Sequence, residues 1–148
     1  MEIRVVFLDI DGVLNNPNTR RGSILSLDPV CIANLNRITR ETGARIVVSS
    51  TWRRFDGIND ILGHRGIIAE IIGITPDLDR DRGSEIAEWL RYSTRFFDVS
   101  GVVILDDDND MGRLSDHLVQ TDPVIGLSDA DADRAVQILS TQFLWTGY

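Results

Sequence analysis

Short apolar runs alternate with longer amphipathic stretches along this 148-residue chain. Five runs read as strands: Ile3 to Leu8, Arg45 to Ser49, Ile71 to Ile74, Val102 to Leu105 and Leu118 to Thr121. The first, second and fourth are rich in Val and Ile and too short for helices, as expected of strands covered on both faces. Helical patterns lie between them. Asp28 followed by Pro29 is an N-cap with proline at the first helical position. Cys31, Leu35 and Ile38 then fall at i, i+4 and i+7, and Gly43 closes the helix. Ile86, Trp89 and Leu90 share one face of a second helix. Ser128 and Asp131 make a capping-box-like start for a third, with Ala132, Ala135, Val136 and Leu139 as its stripe.

Strands alternating with helices predict an α/β fold: a three-layer, Rossmann-like parallel sheet. The chain shows no repeat and no linker, and 148 residues with 43% apolar content suit a single domain over 1–148. No stretch approaches the length of a membrane span, so no membrane partner is expected. MEIRVVFLDI carries Glu2 and Arg4 and runs straight into aspartates, which marks a strand rather than a signal peptide. The one cysteine, Cys31, excludes an internal disulfide framework and a cysteine zinc cluster. It sits on a helix stripe and is expected to be buried and inert. A cytoplasmic location is the expectation.

In parallel sheets of this kind ligands bind beyond the carboxyl ends of the strands. Three polar clusters stand there: Asp9-Ile10-Asp11-Gly12, Ser49-Ser50-Thr51-Trp52-Arg53 and Asp106-Asp107-Asp108-Asn109-Asp110. The fifteen basic residues are all arginine, and the net charge is −8. That balance argues against indiscriminate nucleic-acid binding, which phosphate neutralisation drives, but leaves room for a local arginine patch. Aspartates gathered at one sheet edge without lysine call for a hard cation, and oxygen donors suit Mg²⁺. Because Mg²⁺ usually takes few carboxylates plus a substrate phosphate, phosphoryl chemistry follows. Asp9 ends its strand and can attack phosphorus to form an aspartyl-phosphate. Asp11, once Gly12 lets the chain turn, can protonate the departing oxygen and then deprotonate the hydrolytic water. Ser49 offers a hydroxyl to the phosphoryl oxygens, and Asp106 completes the metal site. Asp107 and Asp110 are candidates for the rest of its shell, directly or through water.

DIDGVLN, a serine after the second strand and LDDDND after the fourth resemble motifs I, II and IV of the haloacid dehalogenase (HAD) superfamily of phosphohydrolases. The resemblance implies Asp9 as nucleophile, Asp11 as acid/base and Asp106 as a Mg²⁺ ligand. It adds the Asp9 carboxylate and the Asp11 carbonyl as metal ligands, with Asp110 at the supporting position of a GDxxxD-like spacing. The family's motif III is normally a lysine, and this chain has none. Arg82, before GSEIAEWL, stands where motif III is expected, with Arg80 the alternative. Arginine gives a bidentate phosphate grip but is not a neutral exchange for lysine. STWR, RGSEIAEWL, VILDDDNDM and HLVQTDPVIGLS resemble the small HAD-domain group of Swiss Army Knife RNA repair proteins. That likeness implies a phosphomonoesterase acting on polynucleotide 3′-phosphate ends or nucleotides, with repair proteins as partners. Neither the Gly12–Ser49 interval nor the Arg53–Arg82 interval holds a substantial cap domain. The cap is therefore minimal or absent, with GVLNNPNTRRGSILS as a flap over an open site.

Other residues offer substrate contacts. Gly12 shapes the turn after Asp9, and Ser50 competes with Ser49 for the motif II position. Trp52 is a candidate platform for a nucleobase, a contact worth about 1–3 kcal/mol in single-strand binders, against an ordinary packing role. Arg53 joins Arg20, Arg21, Arg54, Arg80 and Arg82 in site-side loops, either tracking a phosphate backbone or simply solvated. Trp89 and Trp145 read as packing, His64 and His117 as surface or structural residues, and Asp108 as solvated. Two other functions compete: a small-molecule HAD phosphatase, and a metal- or phosphate-binding module without turnover. A receiver-domain reading fails, because it needs an aspartate after the third strand and a later lysine.

Overall fold

The computed structural model describes residues 1–145. Strands β1 (Glu2–Leu8), β2 (Arg45–Val48), β3 (Ile71–Ile74), β4 (Asp98–Asp106) and β5 (Leu118–Gln120) form one sheet in the order β3-β2-β1-β4-β5. Every neighbouring pair is parallel. The helices are α1 (Pro17–Arg20), α2 (Pro29–Thr42), α3 (Ile58–His64), α4 (Arg82–Ser93) and α5 (Asp129–Ser140), with 3₁₀ turns at Thr51–Arg54 and Gly112–His117. This is the three-layer α/β arrangement the alternation predicts. No helix among the described residues is long and apolar enough to cross a membrane.

The two sheet faces explain why the strands read as unbroken apolar runs. Val6 and Leu8 of β1 pack on one side with α2, α3 and α5 through Leu35, Ile38, Leu62 and Ala135. Val5 and Phe7 pack on the other with α4 through Ile86, Trp89 and Leu90. The Phe7 and Trp89 rings meet edge-on with centroids 5.5 Å apart. The signals at the ends of α2 are those in the chain: Asp28 accepts from the Val30 N–H, and Gly43 adopts a left-handed φ of 71°. Cys31 is buried, as its place on the α2 stripe implies.

Three features depart from the pattern-based expectation. Strand β4 begins at Asp98 rather than Val102, because its first residues pair with Glu2 and Ile3 of β1. Helix α3 and the two 3₁₀ turns are too short to leave a periodic signature. The flap contains a single helical turn, α1, closed by a reciprocal cap between Asn16 and Thr19.

The topology fixes where chemistry can gather. From β1 the chain runs outward to β3, then returns through α4 to β4 on the opposite side of β1. The ends of β1 and β4 therefore lie side by side at the point where strand order reverses, the usual ligand crevice of such sheets. Leu8 pairs with Leu105 there, so the next residue of each strand is an aspartate.

Candidate functional site

Asp9 follows the last pairing of β1, and its N–H donates to the Leu105 carbonyl at 3.0 Å. Its carboxylate is 7% exposed and accepts the Ile10 N–H at 2.9 Å. Asp106 ends β4; one oxygen accepts the Asp108 N–H at 3.0 Å, while Oδ2 is buried without a hydrogen-bond partner. Asp107 completes the group: Asp9, Asp106 and Asp107 each offer an oxygen, all within 4.8 Å of one another. Burial pushes the Asp9 carboxyl up, opposed chiefly by the Arg82 charge. Burial and then the neighbouring Asp9 push Asp106 up as well. Like charges held this close in a buried place resist joint ionisation unless a cation joins them. The donors are all oxygen and one is unpartnered, so the residues fit a hard divalent ion such as Mg²⁺.

A cation and a hydroxyl flank this group. Arg82 is the first residue of α4; its Nε lies 3.8 Å from Asp106 Oδ2, and its Nη1 is buried without a hydrogen-bond partner. Ser49, just past β2, donates its N–H to the Leu8 carbonyl at 2.8 Å, and its Oγ is also buried and unpartnered. A buried polar atom left unpaired costs about 1–3 kcal/mol. A carboxylate oxygen, a hydroxyl and a guanidinium nitrogen in that condition are the kinds of atom that an oxyanion and its counter-ion satisfy.

The turn after Asp9 is set by Gly12, with φ of 80°. A Cβ there would stand 2.4 Å from Asp107 Oδ2, so only glycine lets Asp107 approach. The Gly12 N–H donates to Asn15 at 2.9 Å, and its carbonyl accepts the Thr121 hydroxyl at 2.7 Å. Asp11 is thereby turned outward. Its Oδ1 accepts from Asn15 at 2.8 Å and from the Trp52 indole N–H at 3.2 Å, with Arg20 Nη1 3.9 Å away.

A family model for the HAD domain in Swiss Army Knife RNA repair proteins matches residues 5–132. The chain belongs to this family. The HAD superfamily is one of hydrolases, phosphatases among them. Comparison with curated proteins finds no match.

Within this HAD domain, several residues expected at the substrate stand elsewhere. Trp52 is 4% exposed, so its ring packs in the core and offers no open face to a base; its accessible contribution is the N–H given to Asp11. Arg53 is held between acidic side chains. Its side chain is 5% exposed and donates to both Glu85 oxygens, at 3.1 and 3.0 Å, with Asp77 at 3.1 Å. Arg54 also pairs with Asp77, whose carboxyl the Arg54 hydrogen bond draws down to about 2. Asp110 turns away from the carboxylate group. Its side chain accepts the Arg82 N–H at 3.0 Å and its carbonyl the Gly83 N–H at 3.0 Å, so it anchors the start of α4. Ser50 accepts the Trp52 N–H at 3.2 Å and helps hold Asp9 ionised through a hydrogen bond, leaving Ser49 as the hydroxyl with nothing to bind.

Of the two arginines weighed for motif III, Arg82 is the one that reaches Asp106; Arg80 lines a groove on the outer flank of α4. Trp89 and Trp145 take packing positions, Trp145 stacking on Phe143 at 6.4 Å. The imidazole of His117 lies 3.2 Å from the Val102 carbonyl, and that of His64 lies 2.7 Å from the Asp60 carbonyl. Asn15 and Glu85 are the residues the sequence reading missed. Asn15 falls four positions after Asp11 in a tight turn, a spacing that signals a side-chain contact. Glu85 gave no signal, because burial of its charge depends on Arg53 from another element.

Proposed function

We propose that this HAD domain is a Mg²⁺-dependent phosphomonoesterase that works through phosphorylation of Asp9. Polynucleotide 3′-phosphate ends or nucleotides are the leading substrates. One observation carries the reading: Asp9 and Asp106 stand abreast at the sheet's reversal point, with Asp106 Oδ2, Ser49 Oγ and Arg82 Nη1 buried there without hydrogen-bond partners. The family's association with RNA repair proteins supports a polynucleotide substrate and repair-protein partners.

The chain's own groups account for the steps. Asp9 attacks phosphorus as the bond to the ester oxygen breaks, and that oxygen takes a proton from Asp11. Asp11, now a base, removes a proton from water as the water oxygen attacks the phosphorus of the aspartyl-phosphate. Phosphate leaves and Asp9 is restored. Ser49 Oγ and the Arg82 guanidinium receive the non-bridging oxygens, whose charge is greatest during transfer. Asp110 keeps Arg82 in place by tying down the peptide N–H groups of Arg82 and Gly83. A Mg²⁺ held by Asp9, Asp106 and Asp107 supplies positive charge against the carboxylates and the phosphoryl group.

The test is phosphate release, with and without Mg²⁺, from a 3′-phosphorylated oligonucleotide, nucleoside monophosphates and an aryl phosphate. Asp9→Asn serves as the control. Metal-dependent release abolished by Asp9→Asn is the expected result, with the oligonucleotide turned over fastest. Release from none of them by folded, Mg²⁺-binding protein overturns the enzymatic reading in favour of a binding module.

A further inference from the structure

The exposed half of Asp11 opens into a cleft of about 210 Å³ that the reaction described above leaves unused. One wall is the flap, with Arg20 and Ile24; the other is the 3₁₀ turn after β2, with Trp52 and Phe55. Trp52 is buried, but Phe55 beside it is 40% exposed, and Ile24 is 72% exposed. The Phe55 and Trp52 rings lie 5.6 Å apart, and the Phe55 N–H donates to the Trp52 carbonyl at 2.9 Å. The platform is therefore fixed on the same turn that holds Asp11. The flap wall is tied down too, as Arg65 Nε donates to the Leu25 carbonyl at 3.2 Å.

A group that takes its proton from the exposed part of Asp11 stands beside this cleft. Two exposed apolar side chains border it, and its inner end carries a carboxylate and a guanidinium. A bare sugar would find polar partners in Asp11, Arg20 and Thr51 but leave the apolar side chains of Ile24 and Phe55 uncovered. A flat ring with a polar edge meets both halves. The cleft is smaller than the roughly 300–1,000 Å³ that encloses a drug-sized ligand, so it takes one ring system rather than a length of strand.

We propose that this cleft is the leaving-group subsite and takes the nucleobase of the substrate's terminal nucleotide, stacked on Phe55. The subsite rests on the phosphomonoesterase reading and names the part of the substrate that reading leaves open. Because stacking uses the ring face, the subsite accepts any base.

The experiment compares two 3′-phosphorylated dinucleotides, one intact and one with a tetrahydrofuran abasic sugar at the 3′ end. Each is tested with wild type, Phe55→Ala and Phe55→Trp, and kcat/KM is read with Mg²⁺. Wild type is expected to favour the intact substrate by about 5- to 150-fold, the range that one stacked base supplies. Phe55→Ala removes that preference while leaving the abasic substrate's rate in place, and Phe55→Trp restores it. Equal rates on both substrates with wild type, or an equal loss on both with Phe55→Ala, overturn the subsite. Phosphate release from neither substrate is the failure of the enzymatic reading instead. Direct binding of the two dinucleotides to the three folded proteins then decides the subsite alone: an intact-over-abasic preference lost only in Phe55→Ala upholds it, and equal binding overturns it.

Discussion

The indole N–H of Trp52 donates to Asp11 Oδ1 at 3.2 Å, joining motif II to the second aspartate of motif I. With the Asn15 amide on the same oxygen, it orients the carboxylate and leaves Oδ2 as the oxygen free to carry a proton. Trp52→Phe keeps the packing and removes the donor. Hydrogen bonds to charged groups are worth about 1.5–3 kcal/mol, so kcat for an alkyl phosphate is expected to fall by at least tenfold. The loss should be small for 4-nitrophenyl phosphate, whose leaving group needs little protonation. Steady-state kinetics on the two substrates check this, and equal losses on both would show a merely structural role.

Arg53 and Glu85 form a buried pair between the 3₁₀ turn after β2 and the first turn of α4. Removing one partner of a buried ion pair costs about 3–5 kcal/mol, because the other charge is stranded. Arg53→Ala is therefore expected to lower the free energy of unfolding by that amount, while KM stays unchanged where the variant is folded. Chemical denaturation with parallel kinetics is the measurement. A raised KM at unaltered stability would return Arg53 to the substrate.

Gly12 and Asp107 compete for the same space. Gly12→Ala adds a methyl at 2.4 Å from Asp107 Oδ2 on a backbone with φ of 80°. A strained left-handed residue costs about 1–3 kcal/mol, and the clash adds to it. Asp107→Ala in the same chain removes the clash but not the strain, so the double variant should be less destabilised than the sum of the single ones. Thermal melts of the four proteins test this, and simple additivity would refute the contact. Gly12→Ala should also weaken the rise in Tm that Mg²⁺ produces.

The Asp9 and Asp106 carboxyls lie above the ordinary aspartate value of 3.8, Asp9 pushed up to about 6 and Asp106 to about 8, mainly by burial. A carboxyl raised by folding binds its proton more tightly in the native chain. Its contribution to stability is thus fully present below the unfolded value and is lost as pH rises through the folded one. Without metal, Tm is expected to fall between about pH 4 and pH 8, with a shallower slope for Asp106→Asn. Mg²⁺ should raise Tm more at pH 8 than at pH 5, since ionised ligands are then destabilised most without it. A metal-free Tm that climbs across this range would contradict the burial of the pair.

The sheet and its reactive edge are legible from local signals because both depend on local chemistry. Val- and Ile-rich runs can only be covered strands, Asp28-Pro29 and Gly43 bracket α2, and residues after β1 and β4 must meet if those strands are neighbours. What the chain does not reveal is side-chain direction once the backbone leaves the strand. Trp52 and Arg53 occupy the expected edge, yet the 3₁₀ turn rotates one into the core beneath Asp11 and the other toward Glu85. Asp107 and Asp110 look equivalent in DDDND. Only the approach of α4, which offers two peptide N–H groups, assigns Asp110 to the helix and leaves Asp107 with the cluster.

The guanidinium beside Asp106 has a chemical consequence. A lysine at that point could be acylated by reactive metabolites, could condense with aldehydes, and could lose its charge when desolvated. Arg82 carries no primary amine, and with no lysine in the chain, amine-directed acyl donors find no side chain to modify. The site is thus beyond the reach of lysine acetylation as a form of control, and any tuning of it falls to its carboxylates.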